Sequence, residues 1–465
     1  MRSKTIALCL SLFGYFFLAY ELSREQFLPF FGIYSLLFVV YFWLTTNHQS
    51  ISKKQLYTYL AFAFLFRILF LFAEPQLSDD FWRYLWDGYL QLRGISPYAF
   101  TPHDFMAQIG VEDRLLSTIY SQLNSPQYYS VYPPVNQWVF HAAVRCFPDD
   151  YKGAVFMLHC IVLLLDCCTI LLAISVLKLW RNSSAKILIY ALNPLVIVEL
   201  NGNLHTESTV VFLLISCLYL MMHKRIVGAA VCFGFAAAAK LVPLIFMPLI
   251  VGYLKRKKGL LFGLVALGVF MAIMGSYIGI DEAMHFKKSL SLYFASFEFN
   301  ASFYYFLRYL LLADYWEYWT YQPYFMGIKW VESFIAADLY TYSKRFLQLV
   351  LVLTILYQTF GLFIRRTKEQ FIHSFMLVYS AYFFLATTVH PWYICPLVLC
   401  AIFSPLRFVV VWSYLIACTY ITYTSPDMQE SLVLVFLEYT VVFVWFVHEI
   451  FPNFLSKVTV FLKNK

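Results

Sequence analysis

The chain has 465 residues, 61% of them hydrophobic, 20% aromatic and only 13% charged, with a net charge of +8. A soluble domain of this size would carry about 25% charged residues. Long apolar runs recur from end to end, so the composition excludes a soluble enzyme or a globular domain on a single anchor and describes a polytopic helical membrane protein. The ten cysteines lie almost all in apolar runs, without a CxxC pair or metal-ligand spacing, and read as small buried apolar residues.

The first twenty residues, "MRSKTIALCLSLFGYFFLAY", have a basic start and apolar core but no small-x-small cleavage site, and further spans follow at once. They read as a retained first helix. Basic clusters mark the cytoplasmic side: Arg2/Lys4, Lys53/Lys54, Lys178/Arg181/Lys186, Lys224/Arg225, Lys255–Lys258, Arg365/Arg366/Lys368, Arg407 and Lys457/Lys463/Lys465. Threading the apolar runs between them predicts fourteen spans with both termini inside. The first seven are Thr5–Tyr20, Leu28–Leu44, Leu56–Ala73, Ala154–Leu177, Ile187–Leu200, Ser208–Met222 and Val227–Ala239. The others are Leu241–Leu254, Gly259–Ile278, Phe346–Ile364, Phe371–Thr388, Trp392–Phe403, Phe408–Tyr423 and Leu432–Val447. Pro133–Phe147 is read as an interfacial or re-entrant helix, because counting it as a span would put Lys178, Arg181 and Lys186 outside.

The charge distribution argues against a nucleic-acid partner, since the basic residues follow the membrane topology. Two long outer loops hold most of the acids, at about 74–152 and 281–345. Long outer loops have room for function that short turns lack. No internal repeat or Gly/Ser linker appears, so residues 1–465 read as one integral membrane domain.

In the first loop, "SDDFWRYLWDG" spaces Asp79, Arg83 and Asp87 at i, i+4 and i+8, a salt-bridge stripe on a helix that Ser78 would cap and Gly94 with Pro97 would end. That structural reading leaves Asp80 unexplained beside a like charge, which costs energy unless a cation or substrate compensates. Arg67, in "LFRILF", is an intramembrane charge that needs a partner, expected among the acids of this loop.

Three further polar segments fall at the outer tips of hairpins. They are "NGNLHTE" with His205 and Glu207, the Lys240 tip in "AAAAKLVPLIFMP", and "TTVHPWY" with His390, Trp392 and Tyr393. Ionisable groups at helix ends around a shared cavity make a site by default. Each also has a plain reading: Lys240 snorkelling, His205 and Glu207 as solvated turn residues, Trp392 and Tyr393 as an aromatic belt. The second loop carries "SFEFNASFYYFLRY", where Glu298, Asn300 and Arg308 sit in an aromatic field suited to sugar rings or isoprenoid chains.

The acidic pair followed by Arg-Tyr, "WDG", "GISPY" and "YPPV" resembles the first outer loop of GT-C glycosyltransferases. More closely, it is similar to bacterial mannosyltransferase-like proteins related to the GPI mannosyltransferases. "LNPLVIVELNGNLHTES", "AAAAKLVPLIFMP", "FEFNASFYYFLR" and "VHPWY" extend the likeness from about Leu77 to Tyr393. The resemblance implies an all-α GT-C-like bundle of about fourteen transmembrane helices, with short interfacial helices in the two outer loops. It implies transfer of a sugar, by family mannose, from a polyprenyl-phosphate donor to a hydroxyl of a glycan or lipid-linked acceptor, with inversion, on the outer face of a bacterial inner membrane. A carboxylate would take the proton, and cations would stabilise the leaving phosphate.

By resemblance the base is Asp79 with Asp80 in support; aligned on the Asp-x-Asp-aromatic pattern, Ser78 stands at the first acid and Asp80 at the second, and Asp87 falls near a later acid. Arg83, Asp87, His205, Glu207, Lys240, Glu298, Asn300, His390, Trp392 and Tyr393 are the expected donor-phosphate and substrate contacts. The residues assign no cofactor and do not require a metal; a divalent ion, if used, would meet Asp79 and Asp80 with His205 or Glu207. Two helices precede the one entering the catalytic loop, a departure from the family's pattern. A lipid-linked oligosaccharide flippase is the alternative from another class, and would favour related halves and midplane polar residues. An O-antigen polymerase or ligase is the enzymatic alternative, expected to carry a dominant basic loop late in the chain.

Overall fold

A computed structural model describes residues 2–46, 51–109, 113–254, 256–295, 297–312, 334–425 and 427–452. Among these residues the regular structure is helical, apart from one isolated parallel bridge between Phe299 and Thr388. Among the described residues six helices are long and apolar enough to cross a bilayer: Ser3–Tyr20, Phe27–Thr45, Tyr151–Leu179, Arg256–Tyr277, Tyr342–Ile364 and Leu432–Ile450. A bent pair, Ser184–Ala191 with Pro194–Gly202, makes seven if counted as one span. Shorter apolar helices, Glu207–Met222, Ile226–Ala239, Val242–Tyr253, Pro391–Ala401 and Phe408–Thr424, fall on other expected spans.

The apolar surface is turned outward at helical spacing, as a lipid solvent demands. Leu260, Leu264, Leu267 and Met271 form one such exposed row, and Leu349, Leu353, Leu356 and Phe360 another. Arg67, buried among these helices, shows how a charge is accommodated inside. Arg67 donates from Nε to Asp166 Oδ2 at 2.6 Å and from Nη1 to the carbonyls of Ala63 and Ala191, while Asp166 also accepts from Tyr190 and Asn201. The partner expected for Arg67 in the first outer loop is therefore replaced by an acid of the Tyr151–Leu179 helix. In an apolar interior, an acid on the neighbouring helix is closer than any loop.

The bend after Ala191 has a local cause. The Asn193 side chain accepts from the amides of Leu195 and Val196, and Pro194 takes the first turn of the new helix. The next turn, Ile197–Gly202, is π-helical. Such widened turns occur disproportionately at functional sites.

Asp80–Leu92 forms a helix that ends in a Schellman motif: Gly94, at φ 74°, donates to Gln91 O, and Ile95 donates to Leu90 O. The expected cap differs, because Asp79 occupies the N-cap position and Ser78 Oγ accepts the amide of Asp80 at 3.3 Å. Pro134–Cys146 is helical, close to the expected interfacial segment, and packs on this helix. Gly88 permits that approach, since a Cβ there would lie 2.8 Å from Phe140 O. Tyr84 stacks on Phe140 with ring centroids 4.4 Å apart.

Candidate active site

A cavity of about 820 Å³ opens where the ends of these helices converge. Its wall includes Asp79, Asp80 and Arg83 from the first outer segment, His205 and Glu207 after the π-helical turn, Lys240, and His390, Trp392 and Tyr393. Nine of the twelve residues singled out from sequence thus share one chamber. The Phe299–Thr388 bridge contributes to this assembly: Phe299 donates to Thr387 O and accepts from Val389, tying "FEFN" to the strand-like lead into "VHPWY".

The two adjacent acids have different surroundings. Asp79 Oδ2 lies 2.6 Å from Arg24 Nη1, and the Arg24 guanidinium rests 4.9 Å over the Tyr423 ring. Asp79 therefore does not extend the expected ladder; Arg83 pairs only with Asp87 in it, at 2.8 Å. Asp80 faces His205, with Oδ2 3.8 Å from Nδ1. Burial pushes the Asp80 carboxyl above the ordinary aspartate range, the His205 ring opposes this, and the nearby Asp79 and Glu207 add to it.

His205 is buried, and so is Glu207, so neither is a solvated turn residue. The His205 ring stacks on Trp392 with centroids 3.6 Å apart, and Trp392 stacks in turn near-parallel to His390 at 4.4 Å. Burial, with His205 and Lys240 nearby, holds His390 well below the usual imidazole range. Lys240 pairs with Glu207 and sits 3.9 Å over the face of Tyr393. Arg83 donates to Tyr128 O at 2.9 Å, while its Nη2 has no hydrogen-bond partner among the described residues. The chamber thus presents a base-capable carboxylate, cations held by fixed partners, and stacked aromatic walls.

Three expected contacts lie off this wall. Asp87 is fully buried behind Arg83, accepting from Gln137 at 2.8 Å and from Ser130. Its place is to hold Arg83. Glu298 accepts from Tyr304 and pairs with Arg308, and Lys344, which does line the cavity, is 3.9 Å away. Asn300, at φ 48°, is buried and donates its amide to Glu430 and its side chain to Glu438. The remainder of the second loop, residues 313–333, lies outside the described residues. Among the described residues, no three His, Cys, Asp or Glu side chains are grouped to hold a metal ion.

Sequence reasoning missed Arg24 and Glu199. Both carried a signal: Arg24 is a basic residue on an expected outer turn, against the positive-inside trend, and Glu199 is an acid within the apolar run "LVIVELNG".

A family profile described as alpha-(1->6)-mannopyranosyltransferase, N-terminal domain, of the MptA/B family, matches residues 16–256. The chain belongs to this mannosyltransferase family. The match spans the segment that carries Arg24, Asp79, Asp80, Arg83, Glu199, His205, Glu207 and Lys240, while His390, Trp392 and Tyr393 of this MptA/B-family chain lie beyond it. It is also 23% identical over 205 residues to alpha-(1->6)-mannopyranosyltransferase A of Corynebacterium glutamicum. That alignment covers 41% of this chain and 39% of the relative, so the chain matches well under half the length of that protein. No solved structure matches this MptA/B-family member.

Proposed function

We propose that the chain transfers mannose from a polyprenyl-phosphate donor to a hydroxyl of a glycan or lipid-linked acceptor, in an inverting single displacement with Asp80 as general base. The observation that carries this reading is the Asp79–Asp80 pair opening on one chamber with Arg83 and Lys240. Of the two acids, Asp79 is engaged by a guanidinium and Asp80 is not, while burial raises the basicity of Asp80. A general base works best when its pKa approaches the operating pH.

In the step itself, the acceptor oxygen attacks the anomeric carbon and its proton passes to an Asp80 carboxylate oxygen. The bond from that carbon to the phosphate oxygen breaks, and the polyprenyl phosphate leaves with the bonding pair. A phosphate needs no general acid. Arg83 and Lys240 are the cations placed to stabilise its charge. An alpha linkage made with inversion calls for a beta-linked mannosyl phosphate.

A lipid-borne donor suits the lining, because Leu241, Val242, Leu347, Leu351 and Tyr382 give one part of the cavity an apolar wall. In this reading residues 1–465 form one domain with fourteen spans and cytoplasmic termini. The chamber faces outward from a bacterial inner membrane, built on the outer loops at about 74–152 and 281–345. A helix at each expected span position, twelve of them apolar by length and composition, supports that topology.

The test is transfer of labelled mannose by the purified protein from polyprenyl-phosphate mannose, set against other polyprenyl-phosphate sugars and a nucleotide mannose, with products read by mass spectrometry. Mannosylated acceptor from the polyprenyl donor alone is expected. Use of the nucleotide donor, or lipid movement without transfer, would reject the reading.

A further inference from the structure

Glu199 is a buried acid, 1% exposed, that the transfer step above does not employ. A carboxylate in an apolar interior is costly unless its oxygens are satisfied. Its oxygens face three groups. Oε1 accepts from the Tyr420 hydroxyl at 2.8 Å, and Oε2 accepts from Asn203 Nδ2 at 3.1 Å. Oε2 also lies 3.3 Å from His205 Nε2, within ion-pair distance but off hydrogen-bond alignment, and Nε2 has no hydrogen-bond partner among the described residues.

The wide turn makes this convergence geometric. Asn203 donates its amide to Val198 O at 2.8 Å and His205 donates its amide to Glu199 O at 3.2 Å, folding the chain back over the acid. The His205 ring is thereby fixed on three sides: Glu199 behind Nε2, the Trp392 indole flat against its face, and Asp80 in front of Nδ1. An imidazole stacked on an indole, with a carboxylate beside one ring nitrogen, has its orientation restricted and with it the direction of its other nitrogen.

We propose that Glu199 is a positioning residue for the transfer reaction, holding the His205 ring so that Nδ1 is presented to Asp80 at the cavity wall. This rests on the function proposed above. The acid–imidazole–acid line runs from the π-helical turn into the chamber, and fixes the orientation of the group nearest the base without Glu199 meeting substrate.

The experiment compares the purified wild type with Glu199→Gln, Glu199→Asp, His205→Asn and the Glu199→Gln/His205→Asn double variant. Mannose transfer from polyprenyl-phosphate mannose is measured as kcat and donor KM, and folding by thermal unfolding in detergent. Glu199→Gln is expected to lower kcat by about tenfold or more, the low end of the loss when the partner behind a metal-ligating histidine is removed. Donor KM stays nearly unchanged, Glu199→Asp recovers part of kcat, and Glu199→Gln adds no loss in the His205→Asn background. Unchanged kcat in Glu199→Gln, or the same fractional loss with and without His205, would overturn the proposal. Should Glu199→Gln fail to fold, Glu199→Asp is read in both backgrounds: a loss confined to the His205 background supports it, and equal losses overturn it. A wild type that transfers from no donor strikes the functional reading instead.

Discussion

Arg24 Nη1 lies 2.6 Å from Asp79 Oδ2, so the turn between the first two helices supplies the cation that offsets one of two adjacent carboxylates in the cavity. The like charge that sequence alone leaves uncompensated is met from a segment more than fifty residues away. It also gives the two helices ahead of the Asp79–Asp80 segment a place at the cavity wall.

Arg24→Ala removes that compensation, and Asp79 then bears more strongly on Asp80. The acid limb of the transfer rate is expected to move to higher pH and the rate near neutrality to fall, with Arg24→Lys recovering most of it. A pH–rate profile of kcat/KM checks this; an unmoved acid limb in Arg24→Ala would refute the coupling.

As the proposed base, Asp80 must be ionised to accept a proton, and burial raises its pKa. Activity should therefore rise with pH through a limb above the ordinary aspartate value of about 3.9. A limb at that ordinary value would show that burial does not tune the base.

Glu430 sits outside the spans and accepts the Asn300 amide at 2.6 Å. Burial pushes it up to about 7, against the hydrogen bonds from Tyr305 and Asn300. A folded-state pKa raised above the unfolded value gives stability that is full at acid pH and is lost as pH rises toward 7. The unfolding temperature in detergent should fall over that interval, and Glu430→Gln should flatten the dependence.

Packing of the Asp80–Leu92 helix depends on Gly88. An added Cβ would meet Phe140 O at 2.8 Å and Val144 Cγ1 at 3.0 Å, with backbone as the nearer obstacle. Gly88→Ala should cost about 1–3 kcal/mol of stability and lower activity by displacing the Asp80–Leu92 helix. Equal unfolding temperatures for the variant and the wild type would contradict the close approach.

The membrane class, the helical segments and the grouping of His205, Glu207, Lys240, His390, Trp392 and Tyr393 with the acidic pair were legible, because hydropathy and charge sort residues by depth and side. Individual partners were not. Asp79 looked like one rung of an i, i+4 ladder, yet a closer guanidinium from another turn takes it. Arg67 finds Asp166 across a helix contact that no local spacing reveals. Glu298 and Asn300 belong to the right neighbourhood but point behind the wall, since an aromatic field in sequence does not say which ring faces the cavity. Glu199 was visible as an acid in an apolar run, and only the π-helical turn connects it to His205.

The most direct test of Asp80 as the base is the single-turnover rate of mannose transfer from polyprenyl-phosphate mannose by Asp80→Asn and Asp79→Asn, both confirmed folded by thermal unfolding. Loss of the base is worth about 10²–10⁴-fold. The expected result is a loss of that size in Asp80→Asn with substantial transfer left in Asp79→Asn. Near-wild-type transfer by Asp80→Asn, or the large loss in Asp79→Asn alone, would contradict it.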